Sequence, residues 1–207
     1  MDSENIKKYT DKYLDTIAHA SDFIYVDEDD RIPLTNVYVM LEEVEVKKKS
    51  QKKKSQKPRG PEIKKPPIPL SKVLSENNHV VLQGEPGVGK STTLNFIGLC
   101  FAKDKERWAK AKLNIPKSHI PVKLQLQVYG NDLVNEGAQM IPTLAREIAS
   151  RLQTIQQDDA EELVTSWLET DCLLVLLDGL DEIHEERGRV INKVVWELAW
   201  WPPDVGV

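Results

Sequence analysis

The stretch GEPGVGKST, residues 84–92, constrains this chain more than any other. Gly84, Gly89, Lys90 and Ser91 fall on the fixed positions of the pattern G-x-x-x-x-G-K-[ST]. That pattern is a turn whose backbone N–H groups face an anion while the following helix presents its positive N-terminal end. A match by chance arises in roughly one chain of this length in a hundred, and here the flanks also fit. HVVLQ (79–83) reads as a short apolar strand before the loop, and TLNFIGLCFAK reads as a helix after it. The residues expected to hold a nucleotide are Gly84, Glu85, Pro86, Gly87, Val88, Gly89, Lys90, Ser91 and Thr92. Lys90 can reach the β- and γ-phosphates, the Ser91 hydroxyl can ligate Mg²⁺, and Thr92 can donate to the α-phosphate.

A second stretch, LLVLLDGLDEI (173–183), runs five apolar residues into three carboxylates. CLLVLL (172–177) has no polar position, so a central strand covered on both faces is expected. A nucleotide triphosphate brings Mg²⁺, a hard cation that takes one or two carboxylates from a rigid element beside the phosphate loop. Asp178, first past the strand, has that place. The next position holds Gly179, which has no side chain to orient a water, so that work passes to Asp181 or Glu182. The plainer reading of those two acids is a helix start, where anions are favoured.

The rest of the chain alternates helix and strand. Ile6, Tyr9, Tyr13, Leu14 and Ile17 recur at helical spacing behind Ser3, a candidate N-cap, giving a helix over roughly 4–19 whose apolar face must pack on this chain or on a partner. IPLTNVYVMLEEVEV reads as extended, and Ser71 can cap a short helix. IPVKLQLQV (120–128) alternates apolar residues with Lys123, Gln125 and Gln127, the pattern of a half-exposed strand near a sheet edge. Helices are expected from Pro142, from near Asp159 and over roughly 186–200. Strands separated by helices mean an α/β fold with a parallel sheet.

Charge divides the chain. Residues 47–65 carry ten of the 28 basic residues and one of the 33 acidic ones, with KKKSQ repeated in tandem. Such a run cannot bury enough apolar area to fold and reads as a solvated linker or insert over 47–67. It separates an N-terminal segment, 1–46, from the part that carries the motifs, 68–207. Its sharper reading is a grip on nucleic acid through counterion release, although no interleaved aromatics offer base stacking. Cys100 and Cys172 read as buried small hydrophobes, and His19, His79, His119 and His184 have no second ligand at zinc-site spacing. The polar start MDSENIKKYTDKY has no apolar h-region and no run approaches membrane-spanning length, so a cytoplasmic protein without a membrane partner is expected.

GEPGVGKST together with LLVLLDGLDE resembles the NACHT group of signal-transduction ATPases with numerous domains, whose members show a small residue after the metal-binding Asp and a displaced acidic pair. IPLTNVYVML and IPVKLQLQV are similar to stretches before and between those motifs in bacterial members. The resemblance covers roughly residues 33–200 apart from the basic insert. It implies a three-layer P-loop NTPase sandwich around a parallel sheet. It also implies a switch closed with ADP, opened by a ligand and ATP exchange, which then self-associates and activates an attached effector. By motif match Lys90 would hold phosphate, Ser91 and Asp178 would hold Mg²⁺, and Glu182 would position water with Asp181 assisting. The family continues past the acidic pair into a sensor strand, a helical domain and a winged helix. With the sequence reaching Val207, no sensor arginine or winged-helix histidine can be assigned, an incomplete sheet is expected, and so is little turnover. The alternatives are a motor or regulator acting on nucleic acid through the basic insert, and a small-molecule kinase, for which no lid or arginine cluster is found.

Overall fold

A computed structural model describes residues 1–21, 23–25, 31–34, 42–43, 68–77, 79–103, 107–134 and 140–180. The basic run and residues 181–207, including the helix expected over 186–200, lie outside the described residues.

Helix α1 (Ser3–Ser21) buries Tyr13, Leu14 and Ile17, one stripe at helical spacing. Its cap is Asp2, not Ser3: the Asn5 N–H donates to Asp2 Oδ1 at 2.8 Å, and Ser3 is already helical. The partner of this stripe is the chain itself. Tyr13 donates to the Pro121 carbonyl at 3.2 Å, and its ring lies 5.5 Å from that of Trp167, whose Nε1 donates to Thr10 at 3.0 Å.

Strands β1 (Phe23–Tyr25) and β2 (Arg31–Pro33) pair antiparallel, as do β3 (Glu42–Glu43) and β4 (Ile68–Pro69). The chain therefore leaves at Glu43 and returns beside it at Ile68, bringing the two flanks of the basic run together. Helix α2 (Leu70–Glu76) starts directly after Pro69, whose φ of −59° suits the cap position, so Ser71 lies inside the helix and caps nothing.

The strand expected over 79–83 does not form. A strand is defined by a ladder partner, and none of the described strands pairs with this segment; Val81 is 67% exposed. After the glycine loop, α3 (Lys90–Lys103) buries Phe96, Ile97, Leu99, Cys100 and Phe101. A π-helical turn (Ala109–Leu113) then leads to β5 (Ile120–Gln125).

The expected strand 120–128 is cut short, because Leu126, Tyr129 and Leu133 are buried at a helical period and carry the chain into α4 (Leu126–Val134). Helix α5 (Met140–Leu152) begins two residues before Pro142, which sits in the first turn, where its missing N–H costs nothing. Helix α6 (Gln157–Glu169) buries Ala160, Leu163, Val164 and Trp167, four residues on one stripe.

Strand β6 (Leu173–Asp178) pairs parallel with β5, from Ile120 opposite Leu173 to Gln125 opposite Asp178. Its side chains alternate between two hydrophobic clusters. Leu173, Val175 and Leu177 pack with the cluster formed by α1, β5, α4, α5 and α6, while Leu174 and Leu176 pack with the cluster centred on α3. Coverage is less complete than the all-apolar run predicts, since only Leu176 is fully buried. The architecture is thus mixed α/β, a parallel pair with helices against both faces. Cys100 is fully buried, with its thiol pushed up to about 12 by that burial. Cys172, against expectation, is only partly buried at the turn into β6 and donates to the Thr170 carbonyl. Among the described residues no helix is long and apolar enough to cross a membrane.

Candidate functional site

The loop between residue 83 and α3 turns at Pro86 and Gly87. Gly87 and Gly89 have φ of +83° and +89°, a region that side-chain-bearing residues rarely adopt, and a Cβ at either would meet nothing within 4 Å. Backbone conformation rather than space demands glycine there. At Gly84 a Cβ would come within 2.8 Å of a Val88 methyl, so that glycine permits a close approach across the loop. The Val88 N–H reaches back to the Glu85 carbonyl at 3.4 Å.

Lys90, first residue of α3, folds over this loop and donates through Nζ to the carbonyls of Gly84 at 2.9 Å and Glu85 at 3.2 Å. Its ammonium thereby stands at the loop mouth. Thr93 fixes the start of the helix, since both its N–H (2.8 Å) and its Oγ1 (2.9 Å) donate to the Gly89 carbonyl and the residue is fully buried. Thr92, beside it, is partly buried, and Glu85, Pro86 and Val88 are exposed.

Asp178 ends β6. Strand alternation puts it on the same face as Leu174 and Leu176, toward α3. There its Oδ1 accepts from the Ser91 hydroxyl at 2.7 Å, joining residues 87 positions apart. The other oxygen, Oδ2, lies 2.8 Å from Lys123 Nζ, and Lys123 also donates to Asn95 Oδ1 at 2.7 Å. Gly179 follows with φ of +83° and turns the chain away from the strand axis. Asp181 and Glu182 lie outside the described residues.

The structure thus brings together Lys90, Ser91, the loop glycines and Asp178 from the sequence-derived set. Three contributors escaped the sequence reading. Thr93 carries the signal of a hydroxyl four residues after Gly89. Asn95 lies one turn beyond Ser91. The alternation over 120–128 predicts Lys123 on the solvent side of its strand, yet only 16% of its side chain is exposed, because α3 covers that face.

The pair formed by Ser91 and Asp178 offers a hydroxyl and a carboxylate, hard oxygen donors of the kind Mg²⁺ takes while it keeps several waters. Ser91 is exposed, which leaves room for such waters, and the pair adjoins the loop. These residues fit Mg²⁺ with a phosphate chain. Among the described residues no group of three or more His, Cys, Asp or Glu side chains converges. Comparison with protein-family models, with curated proteins and with solved structures finds no match to the chain.

Proposed function

We propose that this chain is the nucleotide-binding part of an ATP-dependent signalling switch of the NACHT type, built on a P-loop sandwich, with a role in a bacterial defence or regulatory system. The observation that carries this reading is the 2.7 Å contact between Ser91 Oγ and Asp178 Oδ1, at the junction of the glycine loop, the first turn of α3 and the tip of β6. Two motifs far apart in sequence meet through a hydroxyl and a carboxylate, oxygen donors suited to a phosphate-bound cation.

In this account the loop N–H groups and the N-terminus of α3 hold the phosphates. Lys90, whose Nζ lies on the Gly84 and Glu85 carbonyls at the loop, turns its ammonium to phosphate oxygens. Ser91 and Asp178 would hold Mg²⁺, which would supply positive charge against the phosphate chain. Glu182 positions and deprotonates the attacking water, and Asp181 supports it. The ADP and ATP forms then differ by the presence of the γ-phosphate, and that difference drives self-association and activation of an effector.

The second reading, a regulator gripping nucleic acid, gains from one observation. The pairing of Glu42 with Pro69 and of Glu43 with Ile68 across the β3–β4 ladder sets the segments that flank the basic run side by side. Titration of a fluorescent ATP analogue into the intact chain and into a chain lacking residues 47–65 separates the two. We expect saturable, Mg²⁺-dependent binding with the same midpoint in both, because the deletion rejoins neighbouring ends. Loss of nucleotide affinity on deletion would show that the run contributes to the site. Tight, steeply salt-dependent DNA binding that vanishes with the deletion would favour the second reading.

A further inference from the structure

Lys123 holds a position that phosphate binding does not require. It lies on β5 opposite Leu176, on the sheet face that meets α3, and its ammonium is shared between Asp178 Oδ2 at 2.8 Å and Asn95 Oδ1 at 2.7 Å. Ser91 and Asn95 are one helical turn apart on α3. The four side chains therefore form one line of contacts between helix and sheet, Ser91 to Asp178 to Lys123 to Asn95, with Ser91 on one oxygen of Asp178 and Lys123 on the other. Both members of the ion pair are largely buried, with 16% and 15% of their side chains exposed.

We propose that Lys123 is a tethered cation that competes with Mg²⁺ for Asp178, so that the site holds a nucleotide with reduced dependence on the metal. This rests on the reading of Ser91 and Asp178 as the Mg²⁺ ligands. A carboxylate withdrawn from water needs a counter-charge, and Lys123 supplies it before any metal arrives. A divalent ion that reaches Oδ1 then meets an ammonium on the other oxygen of the same carboxylate. A charge within about 4–6 Å changes the affinity of a site for a proton by about 10- to 1000-fold, and the same repulsion acts on a metal ion.

The test is a Mg²⁺ titration at fixed fluorescent ATP analogue, read for wild type, Lys123→Met and Lys123→Arg. We expect the half-saturating Mg²⁺ to fall by about tenfold or more in Lys123→Met and to stay at the wild-type value in Lys123→Arg, which keeps the charge. Lys123→Gln, with a polar end to meet Asn95, gives the same shift as Met and serves if the Met variant does not fold. An unchanged or raised Mg²⁺ midpoint in the uncharged variants would overturn the proposal. So would an equal shift in Lys123→Arg, which would point to packing rather than charge. Failure of wild type to bind the nucleotide at any Mg²⁺ concentration would instead overturn the nucleotide reading on which the proposal rests.

Discussion

Lys90→Ala is expected to remove nucleotide binding while leaving the fold in place. One charge-assisted hydrogen bond contributes about 1.5–3 kcal/mol, and this lysine reaches two phosphate groups. The combined loss is about 100-fold or more in affinity, enough to take a fluorescent-nucleotide titration out of range. The fold should tolerate the change, because the carbonyls of Gly84 and Glu85 that Lys90 bonds belong to exposed residues, where water can satisfy them. An unaltered circular dichroism spectrum alongside abolished binding is therefore the expected pair of results. Equal affinity in wild type and variant would mean that the loop binds no phosphate.

The acidic pair after β6 should separate binding from turnover. Wherever the intact protein hydrolyses ATP, Glu182→Gln is expected to slow the chemical step by about 100-fold or more, as for loss of a general base, while nucleotide affinity stays near wild type. Such a variant accumulates the ATP-loaded form. Asp181→Asn, acting only through its neighbour, should cost less. Single-turnover hydrolysis measured beside equilibrium binding decides the assignment. Normal hydrolysis in Glu182→Gln with loss in Asp181→Asn would move the role one residue back. Normal hydrolysis in both would reduce the pair to a helix start.

What could be read from the sequence follows from which forces are local. Helices α1 and α6 declare themselves because their buried residues, Tyr13, Leu14 and Ile17 in one and Ala160, Leu163, Val164 and Trp167 in the other, repeat at the helical period. The glycine loop and the acid at the end of β6 are legible because the chemistry proposed for them demands particular residue types at fixed spacing. Their meeting, through Ser91 and Asp178, was implied by the two motifs, and the fold supplies the distance. Residues 79–83 show the limit, since an apolar, β-branched run becomes a strand only beside a partner, and no local pattern names one. At Leu126 a period of two passes into a period of 3.6, and the shared apolar residue belongs to both readings. Lys123 is the most instructive miss. Alternation says which residues share a face but not what covers it, and α3 turns a face that reads as solvated into part of the site.

The central claim is that Asp178 and Ser91 form the Mg²⁺ end of a nucleotide site, and the most direct measurement is calorimetric titration of ATP into wild type and Asp178→Asn, each with excess Mg²⁺ and with excess EDTA. The account predicts that Mg²⁺ tightens binding in wild type and that Asp178→Asn loses this gain, falling to the affinity seen in EDTA, because the neutral amide withdraws the carboxylate contact from the metal. Binding that is equally tight with and without Mg²⁺ in wild type, and unchanged in Asp178→Asn, would contradict it.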